Sequence, residues 1–278
     1  YKVEQIVKVL KYNAIVQNLA PVDADNYKQS RVTDSYALQH INRILELALS
    51  QEKSAKALME LFNELGADIR DADIIRWYGT GANYYFVSEG LCLPIIRTLL
   101  EKDIETEPAA VINRIEELMV KHSENGTLSM MMDYAILVAR FYETALGLGS
   151  LTLNTADEYV HRYQTDYYLT DQYYRQATEL YFKIDPTSEL FDSIQTVKLS
   201  LDQNYSKLCN RIHLEWTRCL KETAGMASVH LLRQDDFYDE KIKPIQKKVA
   251  VIVSDALRYE IAQELIGELA KSRHIASL

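Results

Sequence analysis

Near its carboxyl end the chain reads Lys247-Lys248-Val249-Ala250-Val251-Ile252-Val253-Ser254-Asp255-Ala256-Leu257-Arg258-Tyr259-Glu260. Five apolar residues, most of them β-branched, run without alternation and then meet a small polar residue and a carboxylate. Apolar side chains on both faces are what a strand needs inside a parallel sheet covered by helices on both sides. After Asp255 the period changes. Leu257, Ile261, Leu265 and Leu269 recur every four residues, with Ala262 and Ile266 beside them, and this is one apolar stripe of a helix. The stretch predicts a β-strand, a tight turn holding an aspartate, and a helix. In open α/β sheets ligands gather outside the carboxyl ends of strands, so Asp255 stands where a site would be built.

Several α/β architectures end a strand in aspartate, and the neighbouring residues discriminate among them. Phosphatases that form an aspartyl-phosphate need a second Asp two residues on, where this chain has Leu257. A dinucleotide fold needs a glycine-rich turn directly after its first strand, and none follows. Read from the strand alone, Asp255 is either a helix N-cap, accepting the free N–H groups of the next turn, or a metal ligand.

The string Ser254-Asp255-Ala256-Leu257-Arg258-Tyr259-Glu260 resembles the PglZ family of BREX-type bacterial phage-defence proteins, whose carboxyl-terminal domain belongs to the alkaline phosphatase superfamily. Leu10-Lys11-Tyr12-Asn13-Ala14-Ile15 and Tyr134-Ala135-Ile136-Leu137 are similar to the helical middle region of that family. The resemblance implies that Asp255 ends the first strand of a phosphatase-like domain and there binds a catalytic divalent metal. Zinc, magnesium and manganese all accept carboxylate oxygen, and one ligand does not choose among them. The resemblance further implies metal-dependent hydrolysis of a phosphate ester by the whole protein. Its partners would be other proteins of the defence system and, in the full complex, DNA. The superfamily also needs a Ser or Thr nucleophile and further Asp and His ligands on later elements. Beyond Asp255 only His274 stands far enough along, and residues 271–278 match nothing in the family. The expectation is a phosphatase-like domain cut after about one βα unit, and a segment without catalytic activity of its own.

Composition sets the frame for this reading. With 278 residues, 47% apolar and 26% charged, the chain has the make-up of a soluble globular protein and room for two domains. No run approaches the roughly 18 uninterrupted apolar residues of a membrane span, so no membrane partner is expected. The chain opens on Tyr1 with no signal-peptide pattern, which predicts a cut amino end. Cys92, Cys209 and Cys219 are odd in number and widely spaced, as in reduced cytoplasmic proteins. The net charge of −9 opposes broad binding to phosphate backbones, which needs clustered Lys and Arg. Any nucleic acid would have to be held by a local patch or by other parts of the protein.

Helical periodicity dominates the rest. Stripes predict helices over residues 1–18, from Thr33, from Ser54 to a stop at Gly66, over 91–101, over 108–122 and over 129–146. The segment 71–90 is less regular. It reads as a loop with buried aromatics around Gly79-Thr80-Gly81, a pair that lacks the third glycine or following lysine of a phosphate loop. Met130, Met131 and Met132 lie in a helix apolar on nearly every side and read as core. Thr155-x-x-Glu158 is a capping box before a tyrosine-rich helix in which Tyr159, Tyr163 and Tyr167 fall four apart. Base stacking needs basic residues interleaved with aromatics, and only His161, Arg162, Arg175 and Lys183 lie nearby. Packing between helices, with hydroxyls at the rim, is the reading preferred.

From Ser188 to Thr223 runs the longest helix, with Leu190, Ile194, Val197, Leu201, Tyr205, Leu208, Ile212, Trp216 and Cys219 on one stripe near 3.67 residues per turn. Cys209 and His213 stand one turn apart on it, but no Cys-x-x-Cys pair supports zinc, and His213-Leu214-Glu215 lacks the cysteine pair of a deaminase. No repeat of fixed period is visible.

The resulting division is a helical domain over 1–224, a mixed-charge linker over 225–246, and the start of an α/β phosphatase-like domain over 247–278. The fold class is mainly α, followed by one β-strand/α-helix unit. Two rivals stand beside the hydrolase reading. One is a helical protein-interaction scaffold of a defence complex with no catalytic role; the other is an unrelated receptor-like or nucleotide-binding βα unit.

Overall fold

The computed structural model of the chain describes residues 2–16, 32–65, 71–83, 87–122, 126–232, 234–255 and 257–271. Its regular structure is mainly α, as the periodicity requires. The chain divides into two compact units, residues 1–135 with 186–193, and residues 136–185 with 194–278.

In the first unit α1 (Lys2–Val16), α2 (Ser35–Leu49) and α3 (Glu52–Leu65) pack on one another. Val7, Tyr12, Ile15, Leu45, Leu58 and Phe62 are buried there. Lys11 is buried with them, and its ammonium donates to the Phe62 carbonyl at 3.2 Å, which satisfies an acceptor that the last turn of α3 leaves open. Asp34 caps α2 by accepting the Ala37 N–H at 2.8 Å. The predicted stop at Gly66 lies outside the described residues.

The loop expected over 71–90 is in part a helix. α4 (Asp71–Tyr78) carries Asp71 and Asp73 in its first turn and Arg76 in its last, charges that complement the helix dipole, and it buries Ile74. Only eight residues long, it is too short for the stripe to show in the sequence. Gly79 follows at φ 54, a conformation that favours glycine. Tyr84, Tyr85 and Phe86 lie outside the described residues.

Ser88 caps α5 (Glu89–Thr98), which accommodates Pro94 beyond its first turn and widens into a π-turn over Leu99–Asp103. α6 (Pro108–His122) starts on its proline as expected. α7 (Gly126–Gly147) contributes residues to both units and buries Met131, Met132, Tyr134, Val138 and Phe141.

The second unit is built on α8 (Ala156–Arg162), a π-turn over Tyr163–Tyr167, α9 (Tyr168–Tyr181), α10 (Phe191–Glu222) and α11 (Tyr259–Lys271). The capping box at the start of α8 is present, with the Glu158 N–H on Thr155 Oγ1 at 3.2 Å. The Glu158 carboxylate reaches back to the Asn154 N–H at 2.9 Å, one residue earlier than the usual box. The stripe of α10 is buried at Ile194, Val197, Leu201, Leu208 and Cys219. α11 packs on α9, where Glu264 accepts from Arg175 and, at 2.7 Å, from Gln176.

The strand expected over residues 249–253 is not formed. Among the described residues no segment is a β-strand, so this stretch has no neighbour with which to exchange backbone hydrogen bonds. It runs as irregular chain with its apolar side chains outward, Ile252 91% and Val253 88% exposed. A doubly apolar strand is stable only between two partners and two covering layers, and the described residues supply neither.

Candidate functional site

Asp255, the single predicted site residue, occupies a turn at the end of the exposed apolar run. α11 begins four residues later, and the Ala262 N–H already bonds to the Arg258 carbonyl at 3.0 Å. Asp255 is therefore too far upstream to cap that helix. It is exposed, and among the described residues no hydrogen bond or ion pair engages its carboxylate. It does not by itself fit a metal ion, which needs several donors. No group of three or more His, Cys, Asp or Glu side chains converges anywhere among the described residues.

The two residues that follow in the same motif have firmer positions. Glu260 is 0% exposed, and its nearest cation is Arg258, at 2.8 Å. Both Glu260 oxygens lack a hydrogen-bond partner of good geometry. Tyr259 turns into a cluster of rings, edge-on to Tyr163 at 5.9 Å and to Tyr168 at 5.4 Å between centroids.

That cluster borders a cleft of about 530 Å³ in the second unit, walled by Tyr159, Tyr163, Tyr167, Tyr205, Trp216 and Tyr259. Its aromatic walls come from three places. The four-residue spacing of tyrosines on α8 and its π-turn brings Tyr159, Tyr163 and Tyr167 to one side, α10 supplies Tyr205 and Trp216, and the start of α11 supplies Tyr259. Tyr159 is fixed from its far end, its hydroxyl donating to the Leu151 carbonyl at 2.6 Å, with Trp216 edge-on at 5.7 Å. Tyr174 stacks flat on Tyr205, centroids 3.8 Å apart.

Asp171, on α9, is the one carboxylate in the lining. Tyr163 donates to its Oδ2 at 2.7 Å and Tyr205 to its Oδ1 at 2.8 Å. Burial, and then the hydrogen bond to Asp171 with its charge, push the Tyr163 phenol far above its ordinary range. Glu260 adds a smaller effect of the same sign, which Arg258 opposes. Burial and the charge of Asp171 do the same to Tyr205. Both phenols are thereby held protonated as donors. Cys209 lines the cleft as well, and burial raises its thiol above the usual range, so it is no ready thiolate. His213 also lines the cleft, whereas Cys219 is buried away from it.

The tyrosine-rich helix is thus partly what was expected and partly not. Tyr159 and Tyr167 are packed into the interior, but a cavity remains beside them. Sequence reasoning passed over Asp171 and Tyr205. A phenol inside the apolar stripe of α10 needs a hydrogen-bond partner, and that need was the available signal.

No family model, no curated protein and no solved structure matches the chain.

Proposed function

We propose that residues 247–271 are the opening strand and helix of a phosphatase-like α/β domain in a larger phage-defence protein of the PglZ type. The preceding helices would be its scaffold. The observation that supports this reading is the pairing of an exposed, doubly apolar run with the carboxylate that follows it. A patch of this kind on a protein surface ordinarily marks a place that something else covers. Sheet strands and helices of the same protein are the cover that β-branched residues on both faces suit best. Once the strand is paired, its carboxyl end presents Asp255 at the edge of the sheet, where it would serve as one ligand of a divalent metal. The nucleophile and the other ligands would come from residues beyond those described, and the reaction would be hydrolysis of a phosphate ester.

The test uses the intact protein. Asp255→Ala is expected to lower the content of bound zinc, magnesium or manganese and to abolish hydrolysis of p-nitrophenyl phosphate and its bis-ester. Metal content and hydrolysis both equal to those of the unchanged protein would end the hydrolase reading.

A second reading, a helical scaffold that docks other defence proteins without catalysis, draws on the apolar residues that the helices leave outside. Leu199 and Leu214 on α10 and Phe182 after α9 are largely exposed. Co-purification of the intact protein with the other components of its defence system tests this reading. Unchanged capture by a Leu199→Asp, Leu214→Asp variant would remove its support.

A further inference from the structure

We propose that the tyrosine-walled cleft binds a small organic cation of the substituted-ammonium class, with Asp171 as its counter-charge. Charge is the first argument. Asp171 receives two phenol hydrogen bonds, which orient the carboxylate without neutralising it, and among the described residues no Lys, Arg or His forms an ion pair with it. The cleft lining contains no Lys or Arg, and His213 at its rim is exposed. Arg258 and Arg175 stand nearby, but each is engaged by a glutamate, Glu260 and Glu264 respectively. A lone carboxylate in an aromatic cavity is costly unless a cation reaches it.

The walls are the second argument. Tyr163 and Tyr259, and likewise Tyr159 and Trp216, meet edge-to-face with interplanar angles of 62° and 75°, so the aromatic lining holds rings in more than one orientation. Ring faces carry the negative lobe of the aromatic quadrupole, and a methylated or otherwise substituted ammonium combines charge with apolar bulk that such walls accept. The chain itself already uses this combination elsewhere in the same unit. The Lys198 ammonium lies 5.3 Å from the Tyr174 ring and 5.7 Å from that of Tyr181, and Asp202 pairs with it. At Asp171 the tyrosines and the carboxylate recur without the lysine.

The third argument is sign and size. An anionic ligand such as a nucleotide meets no Lys or Arg among the lining residues and faces Asp171 instead. The volume of about 530 Å³ lies in the range of sites for drug-sized ligands and admits a substituted ammonium much bulkier than choline, for which choline is the minimal probe.

Isothermal titration of the full chain with choline and with its neutral isostere 3,3-dimethylbutan-1-ol tests the inference. Choline should bind at least ten-fold tighter than the alcohol. Asp171→Asn should weaken choline at least ten-fold while leaving the alcohol unchanged. Because Asp171→Asn also disturbs two phenols, Trp216→Leu provides a second variant that leaves those hydrogen bonds in place, and it should weaken choline by a similar factor. Three results overturn the proposal. These are no saturable choline binding, equal binding of choline and the alcohol, and choline binding unchanged in both variants. Tighter binding of adenosine than of choline also overturns it, in favour of a stacking site for nucleobases.

Discussion

At the scale of single residues, two polar groups, one buried and one half-buried, make measurable predictions. His122 ends α6 with its Nε2 on the Val87 carbonyl at 3.0 Å. Burial lowers its pKa, the charge of Lys121 lowers it further, and the Val87 bond opposes both. The folded state thus binds a proton on His122 less readily than the unfolded chain, whose imidazole titrates near its ordinary value of about 6.5. Below that pH the unfolded state takes up the proton first, so stability falls as pH falls, by at most about 1.4 kcal/mol per pH unit. Urea midpoints at pH 7.5 and 5.5 should separate, and His122→Gln, which keeps a donor for Val87, should narrow the gap. Equal gaps in the two proteins would show that other groups carry the acid sensitivity. The second group is Asp171. Tyr163→Phe and Tyr205→Phe each remove one donor from it, at about 1–2 kcal/mol apiece. With both donors gone the carboxylate keeps neither phenol, so the double variant should lose more than the sum of the two, by about 0.5 kcal/mol or more. Strict additivity in denaturant titrations would mean that water replaces the phenols at no cost.

At the scale of elements, α10 offers the cleanest contrast. Leu201 is fully buried on its inner stripe and Leu199, two residues earlier, is 60% exposed. Leu201→Ala should cost about 2–5 kcal/mol and Leu199→Ala less than about 0.5, read as shifts in urea midpoint. Thr155→Ala removes the cap of α8 at about 1 kcal/mol. The burial pattern behind these values was legible in the sequence, because a stripe sustained over 32 residues leaves its mark at every turn. The helix start at Ala156 was nearly as legible through its Thr155 cap, whereas the starts at Ser35 and Glu89, capped by Asp34 and Ser88, each lie two residues from the expected Thr33 and Leu91. The eight-residue α4 was not legible, and the cleft was not. Its wall passes through a π-turn at Tyr163–Tyr167, where the chain takes more residues per turn than an α-helix. Extrapolating the four-residue spacing of tyrosines across that turn mis-sets their phase relative to Asp171. The pairing of Tyr163 with Asp171, eight residues on, depends on the changed phase, and Tyr205 joins them only through tertiary packing.

At the scale of the whole molecule, the two ends of the motif 254–260 behave differently, and the difference is physical. Tyr259 and Glu260 need only neighbours within the second unit, and they are packed there. Val249, Val251, Ile252 and Val253 encode a strand, but a strand is a property of a sheet, and no sheet is present among the described residues. An exposed run with high β-propensity and no charge is also a template for association between chains. Ile252→Lys with Val253→Lys should therefore leave the urea midpoint of this chain unchanged within about 0.5 kcal/mol, because neither side chain is buried. The same pair should raise the concentration at which the chain stays monomeric in sedimentation. In the intact protein the prediction reverses. If residues 249–253 are the inner strand of a phosphatase-like domain, two lysines there place charges inside a sheet, and that domain should lose its metal and its cooperative melting. An intact protein that keeps both with two lysines at 252 and 253 would show that the run is an exposed surface segment, and Asp255 would then have no sheet edge on which to hold a metal.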